Sequence, residues 1–409
     1  MRRRYRLALA CTVVLSLPVL CRPGILTGAP VPDASNFSYT KLDAGGQELP
    51  PSATPGEGWR MTRDNVTGLI WEIKQAADGT PNYTNPSDAD NIYAWCSSDP
   101  AHASRPGVCE GNHTQQFLDA LNGAGFGGFA DWRLPGREEL RSIVDYRRSR
   151  PAVDPVFFAG TDSSPYWSGD LYASTPFPWV LDFSEGGDNE THYPAEAMHV
   201  MAVRGQRQGS TYVDNRNGTV SDAAHRLMWQ KNVAQTTFSQ PTAMLEAQSL
   251  TLAGHSDWRL PTVKEMTSLV DLGRINPAIN ADLFPATPTS RTFWTGTATV
   301  DPTNSDGFWR VNFYTGSTND YGVGRGKIDN GERYVRLVRS CGAEGNPCTS
   351  IPGDCNGDAV VDLRDAILTL QAASGMLAGG LLNAVPATGQ PTLGVSDAVY
   401  ILRTIAEQN

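Results

Sequence analysis

The sequence predicts an α+β fold: two copies of one module with irregular, twisted sheets and short helices, then a small helical C-terminal module. Three observations predict it. Asp131-Trp132-Arg133-Leu134-Pro135 recurs as Asp257-Trp258-Arg259-Leu260-Pro261, each time running into a short amphipathic stretch. The surrounding landmarks recur in the same order. Gly68-Leu69-Ile70-Trp71 answers Arg226-Leu227-Met228-Trp229, Tyr166-Trp167-Ser168-Gly169 answers Phe293-Trp294-Thr295-Gly296, and Trp179 to Phe183 answers Trp309 to Phe313. Such an ordered recurrence marks a duplicated domain. Finally, each copy alternates short aromatic, β-prone runs with Gly, Ser, Asn and Asp turns.

From the N terminus, Met1-Arg2-Arg3-Arg4-Tyr5-Arg6 precedes an apolar run from Leu7 to Leu20. A basic start and an apolar run of this length read as a signal peptide over 1–21, with cleavage after Cys21 or as late as Ala29. Cys21 raises lipidation, against which stands the bulky Leu20 before it. No other stretch is apolar enough to span a membrane, so none is expected in the mature chain. Export places the protein in the periplasm, on the surface or outside a bacterial cell.

Residues 30–58, rich in Pro, Gly, Ser and Thr, are expected to be a linker. The first module is expected over 59–210 and the second over 211–341. The extra length of the first lies in an insertion at 75–112. Cys96 and Cys109 bracket a loop found only in that insertion and are expected to form a disulfide. Cys341, Cys348 and Cys355 leave an odd number, and the sequence does not choose between their pairings.

Within the second module, Asn217-Gly218 between β-prone flanks predicts a hairpin over 213–222. First helices are expected over 114–122 and 242–252. The repeated pentapeptide follows, its proline suiting the start of a helix. Thr262-Val263-Lys264-Glu265 is a capping box there, and Glu139 is the counterpart of Glu265. Met266, Leu269 and Val270, like Leu140, Ile143 and Val144, form one apolar helical face. The tryptophan of the pentapeptide is expected in the core, with its arginine bridging backbone carbonyls. Ligands are expected at the variable loops 75–112, 184–198, 297–307 and 315–330.

Lys and Arg number 33 against 43 Asp and Glu, a net charge of −10. An acidic chain with 40 Gly and 10 Trp argues against nucleic acid and anionic membranes. The histidines His102, His113, His192, His199, His225 and His255 show no metal-ligand spacing beyond His192 and His199. No nucleophile elbow or phosphate loop is present, and the chain is not expected to be an enzyme.

The landmark order Asn-Gly-Thr-Val, Leu-Met-Trp, Asp-Trp-Arg-Leu-Pro-Thr, Leu-Val-Asp, Phe-Trp-Thr-Gly and Val-Arg resembles the Lcl C-terminal domain family over about 59–341. The resemblance implies a C-type-lectin-like fold and a secreted or surface location. It assigns structural roles to Trp71, Trp132, Arg133, Leu134, Pro135, Trp167 and Arg204. In the second copy these roles fall to Trp229, Trp258, Arg259, Leu260, Pro261, Trp294 and Arg336. The family's namesake binds sulfated glycosaminoglycans, but this acidic chain has few dense basic runs; Arg147-Arg148-Ser149-Arg150 is one.

The tail carries a second motif. From Gly353 to Asp365, oxygen ligands recur at Asp354, Asn356, Asp358, Asp362 and Asp365, with the Val360 carbonyl between. Calcium takes six to eight such oxygens, and this spacing wraps a chain around it. Ala359 stands where such loops usually carry glycine. The loop and the following helix, 366–370, with a degenerate second copy around 395–402, resemble a dockerin-like module over 350–407. Calcium is the cofactor implied.

These readings give an exported protein that recognises a glycan or protein partner. A homo-oligomeric structural subunit of the cell envelope is one alternative. An enzyme is the other, because the fold resembles that of formylglycine-generating enzymes; their paired core cysteines have no counterpart here.

Overall fold

A computed structural model describes residues 37–75, 77–189, 192–207, 209–300, 307–318 and 331–341, with single helical positions between 363 and 403. The first half contains β1 (Tyr39–Asp43), β2 (Glu48–Leu49), β3 (Trp59–Asp64), β4 (Ile70–Glu72), α1 (Thr114–Gly123), α2 (Arg137–Ser142), β5 (Pro165–Leu171), β6 (Pro178–Asp182), β7 (Gly187–Asn189) and β8 (Val203–Arg204). The second contains β9 (Tyr212–Asp214), β10 (Thr219–Asp222), β11 (Leu227–Gln230), α3 (Gln240–Ser249), α4 (Val263–Ser268), β12 (Phe293–Ala298), β13 (Phe308–Val311) and β14 (Val338–Ser340). The expected mixture of short strands and few helices is what the chain forms.

Each half has the same plan. The first sheet runs β2-β1-β3-β4-β8 and its counterpart β14-β11-β10-β9; the second runs β5-β6-β7 and its counterpart β12-β13. All paired strands are antiparallel. The hairpin expected at Asn217-Gly218 joins β9 to β10, with Gly218 at φ 89° supplying the left-handed turn.

The expected linker is corrected here. Residues 39–49 form a hairpin whose first strand pairs with β3 along its length, as β9 pairs with β10. Leu42 is buried in this strand, and Lys41 lies over the Trp59 ring at 4.0 Å. The Gly and Pro content that suggested a linker belongs to the turns around these strands. The helix expected over 242–252 also shifts, to Gln240–Ser249. Ser239 accepts a hydrogen bond from the Thr242 amide as its N-cap, and Pro241 suits the first turn.

The six tryptophans given structural roles by the resemblance are core residues, as is Trp179, while Trp309 is partly buried against the same core. Trp71 and Trp229 are fully buried in one hydrophobic cluster that runs through both halves. Trp132 and Trp167 anchor a second cluster in the first half; Trp258 and Trp294 anchor its equivalent in the second. The equivalence extends to single bonds. Trp167 Nε1 donates to the Tyr93 carbonyl at 2.7 Å, and Trp294 Nε1 to that of Phe238 at 2.8 Å. A Cβ at Gly186 would meet Val144, and one at Gly316 would meet Val270, at equivalent turns with φ near 90°.

Candidate functional site

The repeated pentapeptide builds structure rather than a binding surface. Trp132 and Trp258 are buried, each with its indole N–H on a nearby carbonyl. The arginine was expected to bridge carbonyls, and its principal partner is instead a carboxylate. Arg133 grips Glu139 through two bonds of 2.6 Å, and Arg259 grips Glu265 at 2.7 and 2.8 Å. The same carboxylates accept the amides of Gly136 and Thr262 at 2.7 Å, capping α2 and α4. Carbonyl contacts are secondary, to Leu134 and Gly205 in one copy and Leu260 in the other. Burial pushes the Glu265 carboxyl up, but Arg259 and the Thr262 donors outweigh it and hold it below the ordinary range.

Asp131 and Asp257 open the pentapeptides and pair with Arg204 and Arg339 at 2.8 Å. The positional counterpart of Arg204 is therefore Arg339, three residues beyond the motif arginine Arg336. Arg336 is wholly buried. It donates to the carbonyls of Gln230 and Lys231 and to Thr287, above the Phe284 ring at 4.7 Å. Burial pulls it down to about 9, which leaves it cationic at neutral pH.

The expected disulfide is present between Cys96 and Cys109, and Cys341 is also disulfide-bonded. His192 and His199 do not meet as a pair: His192 bonds Glu196 at 2.8 Å, while His199 stacks on Tyr166. The calcium ligands Asp354, Asn356, Asp358, Val360, Asp362 and Asp365 lie outside the described residues. In the tail, Ala366, Ile367, Ala398 and Val399 are helical, within the segments expected to be helices.

A buried charged network joins the halves, and the sequence reading missed it. Arg137 and Arg141 project from α2 with almost no exposure and converge on Asp188. Arg137 also donates to the Gly316 carbonyl at 2.7 Å and lies over Trp179 at 4.5 Å. Thr318, from the second half, donates both its amide and its hydroxyl to Asp188 at 2.6 Å. Burial raises the Asp188 pKa, but the two guanidiniums and Thr318 outweigh it and hold the group below the usual carboxylate value. The signal was Val263 and Thr267 standing in α4 where α2 has its two arginines.

The strongest candidate for a ligand site is a cleft of about 440 Å³ in the second half, lined by Thr289, Ser290, Arg291, Thr292, Asn312, Tyr314 and Arg333. The approach to β12 supplies the hydroxyls, and the turn after β13 supplies Asn312 and Tyr314. Arg291 and Arg333 both donate to the Glu332 carbonyl, at 3.2 and 2.9 Å, which brings the two cations together. Ser290 is tied to the Tyr334 hydroxyl at 2.9 Å, and the buried Thr292 hydroxyl has no hydrogen-bond partner among the described residues. Tyr314 is 48% exposed. Among the described residues, the lining offers donors and one aromatic face but no carboxylate or imidazole. Strand register equates these positions with Asp162, Ser163, Ser164, Pro165, Asp182, Ser184 and Met198 of the first half. The cations therefore distinguish the second copy. Tyr314 immediately precedes the variable loop 315–330 in sequence, but the cleft is built from positions the sequence had not singled out.

No curated protein matches the chain. The family model of the Lcl C-terminal domain matches residues 60–204 and again 218–339, well over half of the sequence. The chain belongs to the Lcl C-terminal domain family, with two consecutive copies sharing one core.

Proposed function

We propose that this is an exported recognition protein that binds a glycan non-covalently through the cleft of its second module. The carrying observation is the donor-rich lining around Arg291 and Arg333, with Tyr314 exposed beside it and no such cations at the equivalent first-module positions. Sugars present many acceptors and apolar ring faces, and such a lining meets both needs. The two modules are C-type-lectin-like scaffolds in this reading. The dockerin-like tail binds calcium through Asp354, Asn356, Asp358, Val360, Asp362 and Asp365, which couples its folding to the ion.

A glycan array probed with the full chain, with calcium and then with chelator, tests this. The reading requires specific binding to a restricted set of glycans. Binding that survives chelation places recognition in the modules, whereas absence of any glycan binding refutes the proposal.

A further inference from the structure

Under the first-module insertion lies a buried cluster with no part in the cleft. Glu72 ends β4 and Lys74 follows it; Nζ and Oε1 are 3.0 Å apart, with side chains 3% and 0% exposed. The Phe117 ring lies 4.5 Å from Nζ, and the Pro86 carbonyl accepts from it at 3.3 Å. Asn91 is 2% exposed, and its Oδ1 has no hydrogen-bond partner among the described residues. Its Nδ2 donates to the Asn85 carbonyl at 3.0 Å and the Asn82 carbonyl at 3.1 Å. The lysine amine and the asparagine amide are thus held by consecutive carbonyls, those of Pro86 and Asn85. Tyr93, 3% exposed, belongs to the same cluster; burial and then the Glu72 charge push its hydroxyl up. At the equivalent strand end the second module has Gln230 and Asn232, so the charged pair exists only where the insertion covers it.

We propose that Lys74 and Asn91 join in an intramolecular isopeptide bond, with Glu72 as the proton shuttle. A proton passes from the Lys74 ammonium to the Glu72 carboxylate, leaving two neutral groups in a dry site. The Nζ lone pair attacks Cγ of Asn91, and a C–N bond forms. Glu72 delivers that proton to Nδ2, the original Cγ–Nδ2 bond breaks and ammonia leaves, while Glu72 takes up the second proton of the former amine, so the new amide keeps one N–H. No oxidant or co-reactant is needed. Burial lowers the Lys74 pKa and so favours the free amine. Reaction draws the Asn91 amide away from the carbonyls of Asn82 and Asn85. The new bond tethers residues 75–91 to the end of β4, next to the disulfide-closed loop.

Peptide mapping of the full chain by mass spectrometry, after denaturation and reduction, tests this. The expected product is a branched peptide containing Lys74 and Asn91, lighter than its two linear parts together by one ammonia. Glu72→Gln should return both segments as linear peptides. Unmodified linear peptides in the wild type overturn the bond. A branch to Asp88 with loss of water overturns the acceptor, and a branch persisting in Glu72→Gln overturns the shuttle.

Discussion

Glu139 and Glu265 each do two things with one carboxylate, capping a six-residue helix and fixing the arginine of the pentapeptide. Helices this short gain little from their own backbone bonds, so such contacts decide whether they form. Glu265→Ala removes the cap and leaves Arg259 without its carboxylate. The expected loss is about 1.5–3 kcal/mol, the range for hydrogen bonds to charged groups, read from denaturant midpoints. His225 gives a pH signature at the same scale. Its bond to Asp222 at 2.7 Å raises its pKa above 6.5, against the opposing effect of burial. Its contribution is complete below the unfolded pKa and is lost as pH rises through the folded value. Thermal unfolding should therefore weaken from mildly acid to mildly alkaline pH, and His225→Gln should flatten that component. The capping role of Glu265 was legible in the sequence, from the spacing Thr262 to Glu265. Its grip on Arg259 was not, because the bond depends on how the chain folds back between them.

Among the elements, α2 and α4 show what duplication preserved and what it changed. Both keep the apolar positions Leu140 and Met266, and both begin with a carboxylate cap. Only α2 carries Arg137 and Arg141, which meet Asp188 and the second half's Thr318. Breaking a buried ion pair leaves an uncompensated charge, at a cost of about 3–5 kcal/mol. Asp188→Ala should lose stability of that order by denaturant unfolding, with both modules unfolding in one transition. A loss below about 1 kcal/mol, the range of exposed pairs, would show the network to be solvated. The depressed Asp188 pKa adds a direction: its contribution is present above the unfolded value of 3.8 and is lost as pH falls through the folded one. The repeated elements were legible because aromatic landmarks mark them. The hairpin of residues 39–49 was not, since its strands are short and its turn residues dominate the composition.

At the scale of the whole molecule, the two modules are not beads on a string. One hydrophobic cluster includes Trp71 and Leu140 from the first and Trp229 and Met266 from the second. Phe37, at the start of the described chain, lies 4.4 Å from Lys264 of α4 and stacks on Tyr39, so the N-terminal segment also touches both. The duplication itself was legible from sequence, but the shared core was not, because apolar periodicity names a buried face without naming its partner. The cleft was hidden for a similar reason. Arg291 and Arg333 are far apart in sequence and both donate to the Glu332 carbonyl.

Divergence of that cleft is what ties architecture to the proposed recognition. The most direct test is a calorimetric titration of an array-selected glycan into wild type, Arg291→Ala, Tyr314→Ala and Ser164→Ala. Arg291 and Tyr314 are exposed, so their replacement should leave the fold intact. The account predicts that each loses at least about tenfold in affinity, roughly 1.4 kcal/mol, while Ser164→Ala at the equivalent first-module position binds as wild type. Unchanged affinity in both cleft variants would contradict it.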